Sequence, residues 1–264
     1  ISLSICFSTL LSDLFSVCYC FTYHTPLRLF PFLLSSLLPR PPTSTLFPYT
    51  TLFRSDLLDK LLKTIAKDAE DAPKRCVLVT LGDYIDRGPD SAGVIERLSS
   101  LRQSAPFKDF ELVFLKGNHE LLMDHFLDRR NDGRMWLGCG GAETLKSYGA
   151  KWTPRDAAAR IPKRHRRFFS DLTLMHREGD YAFAHAGVRP GVALDSQRAE
   201  DILWIRARFL DATRDFGAVI VHGHTPVDVP DVLDNRIAID TRAWASGTLT
   251  ALVLEGAQQR FLST

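Results

Sequence analysis

Four short apolar runs, each leading straight into a loop of Gly, Asp, Asn or His, constrain this chain more than any other feature. Cys76-Val77-Leu78-Val79-Thr80-Leu81 runs into Gly82-Asp83-Tyr84-Ile85-Asp86-Arg87-Gly88-Pro89, and Leu112-Val113-Phe114-Leu115 runs toward Gly117-Asn118-His119-Glu120. Tyr181-Ala182-Phe183-Ala184 precedes His185-Ala186-Gly187, and Ala218-Val219-Ile220-Val221 precedes His222-Gly223-His224-Thr225. Short apolar runs bounded by turn residues read as buried strands. Four such strand ends in one sheet converge at its carboxyl edge, where α/β sheets place their sites. Carboxylate, amide oxygen and imidazole gathered there suit a hard-to-borderline divalent metal.

Helices alternate with these runs. Asp56 to Asp71 carries Leu57, Leu58, Leu61, Leu62, Ile65 and Ala66 on one face, and Asp90 to Leu101 carries Val94, Ile95, Leu98 and Leu101. A third helix begins near His119 with Leu122, Met123, Phe126 and Leu127. These are core stripes rather than cofactor contacts. Lys151 to Leu172 predicts one or two helices over the sheet. Arg236–Asp240, Thr248–Leu254 and Gln259–Ser263 predict three tail strands, with turns at Ala245-Ser246-Gly247 and Glu255-Gly256 that fit hairpins.

Residues 1–55 have a different character. They lack Gly, Ala, Lys, Glu, Asn, Gln, Met and Trp, yet hold seven of the 17 Phe and three of the five Cys. That is foreign to the composition of globular domains. Thr45-Leu46-Phe47-Pro48-Tyr49-Thr50-Thr51-Leu52-Phe53-Arg54-Ser55 resembles the in-frame translation of a common DNA-sequencing adapter. The expectation is a non-native, disordered segment over 1–55 joined to one domain over 56–264. A membrane anchor over Ile1–Phe21 is the weaker reading, because the stretch carries Asp13 and several Ser and lacks a basic flank. Setting the segment aside removes three Arg and one Asp, leaving 30 basic and 30 acidic residues. A neutral domain gives no reason to expect nucleic acid or membrane as a partner. Cys76 and Cys139, unpatterned, imply a reducing, cytoplasmic setting without a disulfide framework.

The four motifs together resemble the calcineurin-like metallophosphoesterases, nearest to bacterial and phage serine/threonine phosphatases and their dinucleoside-polyphosphate-cleaving relatives. The resemblance implies a four-layer α/β/β/α sandwich with mixed sheets and two divalent metals, Mn²⁺ above Fe or Zn²⁺. Asp83 takes the family's bridging position, with Asn118, His185 and His224 completing the second metal. His119 takes the position of proton donor to the leaving group, and Asp86 that of the carboxylate orienting it. Arg87 takes a phosphate-clamp position, where a bidentate fork suits a phosphoryl group. Arg206 matches a second phosphate-binding Arg, with Arg208 its competitor.

Alternatives accompany several of these residues. Asp86 and Arg87 could simply pair with each other. His222 reads as a supporting rather than a ligating residue, and Glu120 as a helix-starting carboxylate. His125, His165 and His176 read as surface or satisfied core residues, and Lys163-Arg164-His165-Arg166-Arg167 as a solvated helix face rather than a site for a phosphorylated partner.

Two departures from the family stand out. Arg242, in Ile239-Asp240-Thr241-Arg242-Ala243, replaces a common Gly near the site. The family's opening strand, ending in Gly-Asp-x-His-Gly, should precede Asp56, and none of the eight His here has an Asp two residues before it. The first metal then keeps Asp83 alone, short of the roughly three protein ligands usual at a catalytic ion. A missing central strand would also leave unpaired backbone, and Pro39, Pro41, Pro42 and Pro48 argue against Leu33–Leu52 filling the slot.

The implied function is a metal-dependent serine/threonine phosphoprotein phosphatase, working through metal-activated hydroxide without a phosphoenzyme and impaired by the lost motif. Symmetrical bis(5'-nucleosyl)-tetraphosphatase activity on a phosphorylated small molecule is the alternative. A non-catalytic metal-binding scaffold is the alternative of another class, disfavoured by the retention of His119, Asp86 and Arg87.

Overall fold

The computed structural model describes residues 45–49, 54–71, 75–256 and 258–264. The expectations for residues 1–44, including the anchor reading and the disorder of that stretch, lie outside the described residues. Strands are β1 (Thr45–Tyr49), β2 (Cys76–Thr80), β3 (Glu111–Phe114), β4 (Met175–Glu178), β5 (Tyr181–Ala184), β6 (Val219–His222), β7 (Asp231–Val232), β8 (Arg236–Ala238), β9 (Thr250–Glu255) and β10 (Gln258–Ser263). The main helices are α1 (Ser55–Asp68), α2 (Ser91–Ser100), α3 (Asn118–Leu127), α4 (Ala142–Ser147), α5 (Pro154–Arg160), α6 (Lys163–Ser170), α7 (Ala199–Trp204), α8 (Ala207–Leu210) and α9 (Ala243–Ser246).

Two five-stranded sheets form, ordered β10-β9-β1-β2-β3 and β4-β5-β6-β8-β7. Period-two alternation sorts their side chains into layers. Val77 and Val79 of β2 face Tyr181 and Phe183 of β5 and Val219 and Val221 of β6 in the core between the sheets. Cys76 and Leu78 face the other way, packing with Leu57, Leu61, Ile65, Val94, Ile95 and Met123 from the helices over the first sheet. Ala182, Ala184 and Ile220 meet Ile202 and Phe209 over the second. Helix, sheet, sheet and helix are therefore stacked as expected, with parallel and antiparallel pairs in both sheets.

The slot at the centre of the first sheet is occupied. β1 pairs in parallel with β2 from Thr45↔Cys76 to Tyr49↔Thr80 and antiparallel with β9. This corrects the expectation that the prolines would keep the segment out. The ladder to β9 rests on Leu46↔Leu254 and Tyr49↔Ala251 and passes over Pro48, which has no N–H to give. A central gap leaves backbone groups of two neighbours unpaired, so an extended segment is accepted there despite one missing donor.

The tail also differs from a run of hairpins. Of the three tail strands β9 and β10 pair with each other, from Glu255↔Gln258 onward; β8 pairs with β6 and β7 in the second sheet, and the chain crosses between sheets through α9. No helix among the described residues is long and apolar enough to cross a membrane.

The basic run of α6 lies along a solvent-facing side of the helix. Lys163, Arg164, Arg166 and Arg167 are exposed while His165 is buried. Tyr148 Oη donates to His165 Nδ1 at 2.9 Å, and His165 Nε2 donates to Glu96 at 2.9 Å, the arrangement of a neutral ring. Burial, aided by Arg164, holds its pKa below the ordinary value. The unfolded chain therefore takes up a proton near pH 6.5 that the native state refuses. Stability from this group is present above that pH and lost as pH falls below it. Urea unfolding at pH 7.5 and pH 5.5 is expected to show a decline that His165→Gln reduces. An unchanged pH dependence in that variant would remove His165 from the account.

Candidate metal centre

The site stands where the carboxyl ends of β2 and β3 of the first sheet meet those of β5 and β6 of the second, which corrects the expectation of a single sheet, and its backbone is strained. Six non-glycine residues among those described have positive φ, and five of them surround the site: Asp83 (58°), Asp86 (81°), Arg87 (54°), His224 (62°) and Arg242 (54°). Such conformations cost about 1–3 kcal/mol each and persist where neighbours enforce them. Two glycines permit the crossing of the first two motif loops. A Cβ on Gly82 would stand 2.5 Å from the Gly117 nitrogen, and one on Gly117 2.2 Å from Asp83 Oδ1.

Glu120 locks this crossing. Its buried carboxylate accepts from the N–H groups of Gly117 (2.8 Å), Asp83 (3.0 Å) and Tyr84 (2.7 Å). It opens α3 as expected, and it also ties the two motif loops together. Burial first, then the charge of Asp83, push its pKa up to about 7. The Gly117-x-x-Glu120 spacing, that of a capping box, was the available sequence signal.

Asp83, Asn118, His185 and His224 converge as the motifs implied. His185 Nδ1 donates to the Leu81 carbonyl at 2.7 Å, which fixes the tautomer and leaves an Nε2 lone pair facing inward. That Nε2 lies 2.9 Å from Asn118 Oδ1, 3.2 Å from His224 Nδ1 and 3.4 Å from Asp83 Oδ1. His224 Nδ1 is also 2.9 Å from Asn118 Oδ1. Ligand atoms of Asp83, His185 and His224 all lie within 4.8 Å of one another. Burial, then His185, press the His224 pKa down to about 3, so its ring is neutral at physiological pH.

Acceptor atoms thus face one another with too few protons to satisfy them. A cation resolves that repulsion, and one carboxylate, one amide oxygen and two imidazoles suit a borderline divalent ion. Added Mn²⁺ is expected to raise the melting temperature, with about 2.7 kcal/mol gained at a hundredfold excess over Kd. His185→Ala should lose that increment; an equal metal-induced rise in the variant would argue against this centre.

Beside it stands the pair of His119 and Asp86. His119 Nδ1 donates to Asp86 Oδ2 at 2.6 Å, and His119 Nε2 lies 4.0 Å from Asp83 Oδ2. Burial opposes its charge, but Asp83 and the hydrogen bond to Asp86 outweigh burial and raise its pKa to about 9. Asp86 pairs with His119, not with Arg87. Two further partners of Asp86 escaped the sequence reading: Trp136 Nε1 donates to both carboxylate oxygens (3.1 and 3.0 Å), and Thr144 Oγ1 donates to Oδ1 at 2.6 Å. Neither stands in a recognisable motif, so only the fold reveals them.

Arg87 and Arg206 are exposed beside the site. Arg206 Nη1 donates to Thr225 Oγ1 at 3.4 Å, directly after His224, which favours it over Arg208. His222 is fully buried against Phe209, at 4.9 Å between ring centroids, and its pKa is pushed down to about 4 by burial. It lies outside the group of convergent donors. Arg242 reaches Asp228 in an ion pair.

The comparisons with known proteins agree with this geometry. Residues 51–247 match the model of the calcineurin-like phosphoesterase family. The asymmetrical bis(5'-nucleosyl)-tetraphosphatase PrpE of Anoxybacillus flavithermus is 30% identical over 215 residues, covering 74% of this chain and 82% of that protein. Serine/threonine-protein phosphatase 1 of Salmonella typhimurium is 29% identical over 191 residues, covering 67% and 78%. A solved structure described as a putative diadenosine tetraphosphatase shares the fold, with a TM-score of 0.57 at 19% identity and 84% and 94% coverage. With its motif loops gathered where strand ends of both sheets meet, and a His–Asp pair beside a cluster that could hold a metal ion, the chain belongs to the calcineurin-like phosphoesterase family, hydrolases of phosphoric esters.

Proposed function

We propose that the chain acts on serine/threonine phosphoproteins, with Mn²⁺ the preferred ion and His119 the proton donor. The observation that carries the chemistry is the His119–Asp86 pair beside the donor cluster. A divalent cation bound there supplies positive charge toward a phosphoryl group and Lewis acidity. Asp83, Asn118, His185 and His224 would hold it. Arg87 and Arg206 present guanidinium forks to the remaining phosphoryl oxygens. Asp86 fixes Nδ1–H of His119, so that Nε2–H is aimed at the leaving oxygen and delivers its proton.

The exposure of both arginines fits a substrate approaching from open solvent, as a phosphorylated protein segment must. A second reading, hydrolysis of dinucleoside polyphosphates, is favoured by the similarity to tetraphosphatases, which are named asymmetrical where the sequence reading named the symmetrical kind. Turnover of a phosphoserine peptide and of diadenosine tetraphosphate, each with Mn²⁺, separates the two. Preference for the dinucleotide by an order of magnitude would reverse the assignment.

The residues fit one cation and not two. Among the described residues Asp83 is the one carboxylate in the cluster, and the segment after β1, Thr50-Thr51-Leu52-Phe53-Arg54, contains no Asp, Glu, His or Cys. We read the chain as binding a single ion firmly.

A further inference from the structure

Arg87 would clamp a phosphoryl group only if its long side chain is held at the mouth of the site, and no motif explains what holds it. Its guanidinium carbon lies 5.7 Å from the ring centroid of Trp244, within the range of a cation–π contact. Gly140 closes against the base of the side chain: a Cβ there would stand 2.5 Å from the Arg87 nitrogen and 2.9 Å from its Cγ. The Gly140 carbonyl also accepts from the Arg87 N–H at 3.4 Å. The guanidinium therefore leans on an indole while its stem is walled by backbone.

Trp244 is itself unusual, a large aromatic residue left 46% exposed. It sits on α9, a four-residue helix whose flanking residues, Arg242 and Gly247, both have positive φ. Arg242 holds its strained backbone and ties this helix to Asp228 through an ion pair. Ala243 beneath is buried in the core over the first sheet. A helix pinned at its start and seated on the core presents the indole in a fixed place.

We propose that Trp244 is a positioning residue for the phosphate-binding Arg87: its indole face holds the guanidinium where a phosphoryl group enters. The proposal rests on the assignment of Arg87 as a phosphate clamp. An exposed indole could instead carry a nucleobase directly, and the two roles predict different ligand dependence. A cation–π partner acts on any phosphate ligand through Arg87, whereas a base platform acts only on ligands that carry a base.

The test measures binding to the Mn²⁺-loaded full chain by calorimetry, with inorganic phosphate and with AMP as probes. Trp244→Ala is expected to weaken both by a similar factor, about fivefold for a contact of this kind. Trp244→Phe should restore most of the loss, since it keeps an aromatic face. In an Arg87→Ala background, Trp244→Ala should have no further effect, the signature of a residue acting through another. Unchanged phosphate binding in Trp244→Ala, with Arg87→Ala still impaired, overturns the positioning role alone. Loss confined to AMP overturns it in favour of a base platform. Phosphate binding indifferent to Arg87→Ala removes the clamp itself, and with it the premise.

Discussion

Placing an Asp-x-His pair after β1 is expected to raise the Mn²⁺ stoichiometry from one to two and to increase phosphatase turnover by about two orders of magnitude. The register suggests where. Tyr49 lies opposite Thr80, and Asp83 follows Thr80 by three residues, so Leu52→Asp with Arg54→His gives the β1 loop the same offset. Arg54 is a tolerable site for change because its ion pair with Asp56, at 2.7 Å, is solvent-exposed on both sides and such pairs contribute about 0–1 kcal/mol. The gain follows from charge. A second ion adds several kcal/mol of stabilisation to a developing phosphoryl transition state, and each ~1.4 kcal/mol is a factor of ten in rate. Metal analysis of the purified protein and p-nitrophenyl phosphate hydrolysis are the two readouts. Two ions bound by the unaltered chain would show that a ligand outside the described residues completes the site; one ion in the repaired chain would mean the offset is wrong.

Replacing His119 by Asn should reduce kcat by about 10²–10⁴-fold on a substrate with a poor leaving group, the usual contribution of a positioned general acid. Metal affinity should be nearly unchanged, because His119 lies outside the convergent donors and its Nε2 is 4.0 Å from Asp83 Oδ2. The effect should shrink for p-nitrophenyl phosphate, whose leaving phenolate needs little protonation. Asp86→Asn should follow the same pattern more weakly, since Trp136 and Thr144 still hold the side chain. Equal losses on good and poor leaving groups would assign His119 a binding role instead.

The residues that converge in the candidate metal centre were legible from local sequence, and their partners were not. Asp83, Asn118, His185 and His224 each sit one to three residues beyond an apolar run, so strand periodicity places each at a strand end, while the meeting of ends from two sheets belongs to the tertiary structure. Glu120 had a local signal in its spacing from Gly117, and its reach to Asp83 and Tyr84 did not. Trp136 and Thr144 lie 50 and 58 residues from Asp86. A hydrogen bond between residues so far apart in the chain is a property of packing, which periodicity does not encode.

The occupied slot beside β2 shows the same division. Composition marks residues 1–55 as unlike the domain that follows, and it misjudges Thr45–Tyr49, which pairs with strands on both sides. Backbone hydrogen bonding asks only for an extended segment with donors in the right places, and side-chain identity matters less to a ladder than an open position matters to its neighbours. Sequence by itself determined the family's motifs, the alternating strands and helices and the ligand types, because these depend on residue identity and short spacing. Tertiary structure alone decided which strand completes the first sheet, that Asp86 turns to His119 rather than Arg87, and that Trp244 stands against Arg87. Those outcomes depend on which distant segments arrive at the same place, and strained loops held by buried partners fix the result.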